Sequence, residues 1–238
     1  MATQVQLGDI AVDVVFKDIK NVHLSVYPPT GRVRIAAPRR MRLDTVRVFA
    51  VSKLAWIKKQ QRKLLEQERE TEREYVDRES HFVWGRRFLL TVQERDETAS
   101  VTLTGRRLVL QVRPGTSETA RQAIVDGWYR ELLKAAVPEL VAKWEPVLRV
   151  KVGRFHVQRM KNKWGSCNHD AGSIRLNAEL ARKPKECLEY IVVHEMVHLL
   201  EPTHNARFVA LMDRHLPNWQ HFRRALNRLP VRREDWRY

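Results

Sequence analysis

The sequence predicts an α+β protein in two parts, a smaller α+β N-terminal region over residues 1–115 and a second domain over residues 116–238. Three observations lead there. Short strand-like segments separated by turn signals fill the first part around a single long amphipathic pattern. Pro114-Gly115 then breaks the chain, and helical periodicity dominates residues 116–238 around two further short strands. With 238 residues, 43% of them hydrophobic, and neither an internal repeat nor a Gly/Ser-rich tract, the chain is long enough to bury a real core.

In chain order, "VQLGDIAVDVVF", "VHLSVYP" and "RVRIAAP" read as strands within residues 3–38, with a turn at "PPTG". One helix comes next over "LDTVRVFAVSKLAWIKKQQRKLLEQ", where Val46, Phe49, Ala50, Leu54, Ile57, Leu64 and Leu65 recur at helical spacing and Asp44 or Thr45 caps the start. Five basic and seven acidic residues then interleave between Arg62 and Glu79, the pattern of a solvated helix end or linker. Strands return in "HFVWGRRFLLTVQ", "SVTLTG" and "RLVLQVRP", read as a meander.

Ser117 or Thr119 caps the next helix, which Pro138 kinks or splits. "RFHVQRM" and "SIRLNAEL" are short strands joined by the loop "KNKWGSCNHDAG". After Pro184 the chain should be helical to Leu200.

The balance of 44 Lys+Arg against 28 Asp+Glu, a formal net charge of +16, favours polyanionic partners or anionic substrates. Ten basic and two acidic residues between Arg149 and Lys185 concentrate that bias at +8. Association with nucleic acid through this basic surface is one expectation. The start "MATQVQLGDI" lacks the basic-then-apolar pattern of a signal peptide, and no apolar run reaches the roughly 18 residues a membrane span needs. A cytoplasmic location without membrane insertion is expected, and two cysteines, Cys167 and Cys187, read as reduced thiols rather than a disulfide scaffold.

The chemistry sits in "IVVHEMVHLLEPTHN", residues 191–205. Apolar residues surround this helix on all sides, so it is buried. His194 and His198, four apart, leave one face a turn apart, and Glu195 projects beside them, the H-E-x-x-H arrangement of zinc hydrolases. Pro202 ends the helix, letting the chain turn back and bring His204 to the same ion. Asn205 caps a second helix over "NARFVALMDRHLP", which holds His204 at its entrance. Three neutral imidazoles on one Zn²⁺ leave a fourth position for water. Zinc held so lowers the pKa of that water to about 7, and Glu195 takes its proton and passes it to the leaving group. The implied reaction is hydrolysis, of a peptide carbonyl or of a phosphoryl group.

"RMKNKWGSC" at 159–167, "IRLNAEL", "HEMVHLLEPTH" and "LPNW" together resemble the YgjP-like metal-dependent hydrolases, also called YgjP-like metallopeptidases, over roughly residues 150–230. The resemblance implies a zincin-like C-terminal domain with helices, a small antiparallel sheet and an active-site helix. It implies one zinc ion, or another divalent metal, on His194, His198 and His204, with Glu195 as general base. More distantly the chain is similar to SprT-like proteases. Metzincins share the His198-to-His204 spacing but need glycine where this chain has Glu201.

Arg159, Trp164 and Asn177 also match the family pattern and are read as substrate-binding, with Trp164–Cys167 forming a turn near the cleft. His215 and His221 are read as non-ligands. Three functions compete: a zinc metallopeptidase with a peptide or protein substrate, a hydrolase of nucleotides or other phosphate-rich small molecules, and a nucleic-acid-binding protein with structural zinc.

Overall fold

The computed structural model describes residues 3–27, 30–66, 69–70, 73–160, 163–228 and 231–232. It divides into two compact units, residues 1–71 with 230–238, and residues 72–229. The boundary therefore falls at Thr71/Glu72 and not near residue 115. The reason is packing: Val83, Leu90, Leu108, Leu110 and Val112, from strands assigned by sequence to the N-terminal part, share one apolar core with the later helices.

In the first unit, β1 (Thr3–Leu7) and β2 (Ile10–Lys17) form an antiparallel hairpin closed at Gly8, whose φ of 63° suits a residue without a β-carbon. β4 (Arg32–Pro38) pairs parallel with β2 and antiparallel with β3 (His23–Tyr27), giving the order β1-β2-β4-β3. Val12, Val14, Val33 and Ile35 are wholly buried beneath Val46, Ala50 and Ile57 of two helices, α1 (Leu43–Ser52) and α2 (Leu54–Glu66). These two replace the single expected helix. Ser52 Oγ donates to Phe49 O at 2.7 Å, and Lys53 leaves helical geometry with ψ near 4°, breaking the run. Arg42, without a side-chain cap bond, stands at the N-cap of α1 in place of Asp44 or Thr45.

Residues 67, 68, 71 and 72 of the mixed-charge run, and Pro28-Pro29 of the "PPTG" turn, lie outside the described residues. The two-residue β5 (Arg69–Glu70) pairs parallel with the strand Val231–Arg232, the last among the described residues.

The second unit repeats the topology of the first sheet. β6 (Ser80–Val83), β7 (Arg86–Glu94), β8 (Ser100–Thr104) and β9 (Arg107–Val112) take the order β6-β7-β9-β8, with β7 and β9 parallel and the outer pairs antiparallel. The expected meander is thus corrected, because β9 inserts between β7 and β8. Glu79, at the end of the charge run, is not a solvated residue. Its Oε2 accepts from the backbone N–H groups of Glu74 and Tyr75, and its Oε1 lies 2.8 Å from Nε2 of His81, which is 0% exposed.

α3 (Glu118–Leu148) continues through Pro138 and Pro146 as one helix of 31 residues, about 46 Å long at 1.5 Å per residue. Ser117 Oγ caps it by accepting from Ala120 N, and Arg149, with φ 55°, closes it. Val125, Tyr129, Leu133 and Val137 of α3 are buried in the shared core.

The last sheet positions the site. β10 (Arg154–Gln158) pairs parallel with β12 (Ser173–Asn177), and β11 (Gly165–Asn168) pairs antiparallel with β12 on its other side. The W-G-S-C segment is therefore an edge strand where a turn was expected. A 3₁₀ turn (Ala178–Arg182) leads into α4 (Lys185–Val197), and α5 (Ala206–His215) and α6 (Trp219–Arg228) come after it. No helix among the described residues is long and apolar enough to cross a membrane.

Candidate metal centre

Apolar residues on all faces of α4 make it a central helix: Leu188, Ile191, Val192, Val193, Met196 and Val197 are at most 5% exposed. It ends at Val197, with His198 as cap residue. Leu199 N and Leu200 N donate to the carbonyls of Met196 and Val197, which tightens the last turn before Pro202. Glu201 Oε1 then accepts from both Thr203 N and Thr203 Oγ1, and Asn205 Oδ1 accepts from Phe208 N at 3.0 Å to start α5. Two caps, one on each side of His204, set the direction from which its ring enters.

The three Nε2 atoms converge. His204 Nε2 lies 3.0 Å from His194 Nε2 and 3.1 Å from His198 Nε2, and the donor atoms of all three lie within 4.8 Å of one another. His198 Nδ1 lies 3.0 Å from the Glu201 carbonyl, so that nitrogen carries the proton and Nε2 turns a lone pair to the centre. Burial, reinforced by the positive charges of His198, His204 and Arg223, drives the pKa of His194 down to about 3. His204 is shifted down in the same sense, by burial and then by His198 and Arg223. Neutral rings are ligands.

Tetrahedral zinc with Zn–N bonds of 2.0–2.1 Å places two nitrogens about 3.3 Å apart, close to the spacing here. One shared proton satisfies only part of three converging lone pairs, whereas one cation satisfies all of them. The donor set therefore fits a divalent ion. Phe208, on the first turn of α5, backs every ring, with centroids 4.9, 4.7 and 4.7 Å from His194, His198 and His204. His194 Nδ1 is buried without a hydrogen-bond partner among the described residues, so packing by Phe208 and an edge-on Tyr190 at 5.8 Å holds that ring.

Glu195 is 4% exposed. Burial raises its pKa to about 8, against the opposing pull of Lys163. Its carboxylate rests on the backbone of the edge strand, where a β-carbon built at Gly165 would lie 2.5 Å from Oε1, 2.8 Å from Cγ and 2.9 Å from Cδ. Glycine is required there by this approach.

The other sequence-predicted residues fare differently. Asn177 is a brace and not a free substrate ligand: Nδ2 donates to the carbonyls of Met160 and Lys163 at 2.8 and 2.9 Å, and Oδ1 accepts from Glu179 N at 3.2 Å. Its polar atoms are committed to the loop before β11 and to the 3₁₀ turn after β12. Trp164 packs half-buried on the core, and its carbonyl accepts from Asn177 N. Arg159 is exposed just beyond the end of β10.

Cys167 is half-buried, with its thiol pushed up to about 11 by burial and then by Glu195, and it is not among the converging donors. His215 and His221 are likewise outside that group. The basic bias of residues 149–185 is smaller at the surface than in sequence. Arg182 and Lys183 are 2% and 4% exposed, and Arg182 pairs with Asp126 at 2.9 Å and Glu179 at 3.4 Å.

Sequence reasoning missed Phe208, Tyr190, Lys163 and Arg223 as neighbours of the site. Phe208 comes four residues after His204, a spacing that could have marked it. Tyr190 likewise precedes His194 by four residues on α4, whereas Lys163 and Arg223 depend on tertiary packing.

The family model described as "YgjP-like, metallopeptidase domain" matches residues 20–229. No curated protein matches the chain significantly. Among solved structures, the metallopeptidase zymogen abylysin of Pyrococcus abyssi is similar at 19% identity and TM-score 0.36, covering 38% of this chain and 90% of that one. The metallopeptidase zymogen jannalysin of Methanocaldococcus jannaschii is similar at 19% identity and TM-score 0.34, covering 38% and 92%.

Proposed function

Since the chain belongs to the YgjP-like metallopeptidase-domain family, we propose that it is a zinc-dependent peptidase with a zincin-like catalytic unit. The observation that carries this reading is the convergence of three imidazole Nε2 atoms next to a buried glutamate. His194, His198 and His204 hold the ion. When bound, it supplies Lewis acidity toward a carbonyl and acidity toward a water, and its charge favours the ionised form of Glu195.

Glu195 accepts the proton of the attacking water at its carboxylate and returns it to the departing amine. The wall formed by Gly165 limits where that carboxylate can sit, and the Asn177 brace fixes the loop that carries the wall. His198 is kept in one tautomer by the Glu201 carbonyl. Phe208 packs against all three rings and holds them in place.

The decisive experiment is metal analysis of the purified protein with casein and synthetic peptides as substrates. One zinc per chain is expected, lost in His204→Ala, and Glu195→Gln should keep the metal while losing about 10²–10⁴-fold in rate. Persistence of peptide hydrolysis in Glu195→Gln would refute the assignment.

A second reading, hydrolysis of phosphoanhydrides in nucleotides, draws on exposed basic residues near the site sequence, among them Lys151, Arg154, Arg159 and Arg175. Turnover of nucleoside triphosphates, abolished by Glu195→Gln, with no peptide cleavage would establish it. The same basic residues support association with nucleic acid, which a salt-dependent binding titration tests. Metal ligation by Cys167, detected by X-ray absorption, would point instead to a structural zinc. A cytoplasmic location and a kinship with SprT-like proteases belong to this proposal as well.

A further inference from the structure

α6 packs on α4, the helix that carries His194 and ends at His198. Arg223 is exposed, and its guanidinium carbon lies 5.8 Å from the centroid of the Trp219 ring. Trp219 is fixed from two sides. It is 5% exposed, its Nε1 donates to Asp213 Oδ1 at 2.7 Å, and its ring stacks on Tyr190 with centroids 6.4 Å apart and planes 20° from parallel. Tyr190 in turn meets His194 edge-on. A rigid aromatic ladder therefore runs from a proposed metal ligand to the guanidinium.

Arg223 is thus tied to His194 through its contact with Trp219 and the stacked and edge-on rings of Trp219 and Tyr190, on a helix packed against α4. Among the described residues no carboxylate pairs with it. A guanidinium stacked on an aromatic face keeps its planar fork of donors free, and that fork matches a carboxylate.

We propose that Arg223 binds a carboxylate of the substrate, so that the site selects peptides bearing a free C-terminal carboxylate or an acidic side chain beside the bond to be cut. This specificity rests on the peptidase reading above. Trp219 and Tyr190 are positioning residues for the guanidinium, and neither need touch the substrate.

Two matched peptide pairs test it: a free acid against its C-terminal amide, and an internal Asp or Glu against Asn or Gln. Wild-type protein should favour the acidic member of one pair by about 10- to 100-fold in kcat/KM, the value of one charge-assisted contact. Which pair shows the preference tells the terminal carboxylate from the side chain. Arg223→Gln should lower only the acidic member and erase the preference, and Arg223→Lys should keep part of it. Zinc content and circular dichroism of both variants should match wild type.

Calorimetry on Glu195→Gln protein gives a readout independent of turnover, in which the acidic peptide binds more tightly and Arg223→Gln removes the difference. Cleavage of acidic and neutral peptides at equal rates, or an equal fall for both in Arg223→Gln, would overturn the inference and leave the peptidase reading intact. Arg223-dependent carboxylate binding in a protein that cleaves no peptide would support the inference and defeat that reading.

Discussion

Replacing Gly165 by alanine introduces one methyl group at the point where the edge strand meets Glu195. Its β-carbon would stand 2.5 Å from Oε1, and ordinary contact begins near 3.4 Å, so atoms must separate by close to 0.9 Å. Backbone conformation at Gly165 offers no other obstacle, because its φ is not among the positive values. Glu195 is 4% exposed on a helix buried on all sides, so it is the carboxylate or the strand that moves.

A displacement of about 1 Å in a catalytic group costs roughly 10²-fold in rate, and overpacking costs about 1–3 kcal/mol of stability. Gly165→Ala should therefore lower kcat about 100-fold on a peptide substrate, keep its zinc because no histidine is touched, and melt several degrees lower. A double-mutant cycle isolates the cause: Glu195→Ala removes the atoms that clash, so adding Gly165→Ala to it should cost almost no stability. Wild-type kcat in a folded Gly165→Ala protein, or an undiminished loss of stability in the Glu195→Ala background, would refute the reasoning.

Other consequences concern groups away from the metal. Burial alone would raise the pKa of Glu79, but the hydrogen bonds and charge of His81 and the N–H groups of Tyr75 and Glu74 outweigh it, and the folded value lies below the usual 4.5. Its contribution to stability is thus present above pH about 4.5 and lost as the pH falls through the lower folded value; urea denaturation across pH 3–6 should show this slope, flattened in Glu79→Gln. Cys167 and Cys187, both pushed up to about 11 by burial, should be alkylated slowly by iodoacetamide at pH 8 in native protein, where the thiolate fraction is about 10⁻³, and rapidly after denaturation. Fast native labelling would show the burial to be wrong. Asn177→Ala strips two carbonyls and a backbone N–H of their partner, so thermal unfolding should report a loss of about 2–4 kcal/mol together with reduced turnover.

The convergence of the three histidines was legible in the chain because its parts are local. His194 and His198 share a helix face by spacing alone, Pro202 must end that helix, and Asn205 caps the next one, so the approach of His204 is set by rules that act within a few residues. The features that escaped notice depend on distant pairing. Gly165 and Glu195 are thirty residues apart, and W-G-S-C looks like a turn until β12 supplies its partner.

Arg223 reaches the site only through the packing of α6 on α4, and its sequence neighbourhood is merely basic. In the N-terminal region the order of strands was hidden for the same reason. Side-chain alternation announces strands, but it does not say that β4 inserts between β2 and β3, or β9 between β7 and β8. The break at Ser52-Lys53 is decided by one side-chain hydroxyl bonding back to Phe49, below the level that apolar periodicity detects.

The histidines lie within eleven consecutive residues, whereas the strand that backs Glu195 is β11, whose Gly165 meets that side chain across thirty residues of sequence. Closing the short bend that gathers the imidazoles costs little chain entropy, and bringing β11 against α4 closes a longer loop and costs more. On the proposed reading, capture of an ion during folding can accordingly precede completion of the wall behind Glu195, so that the molecule would hold its metal before it is able to cut anything.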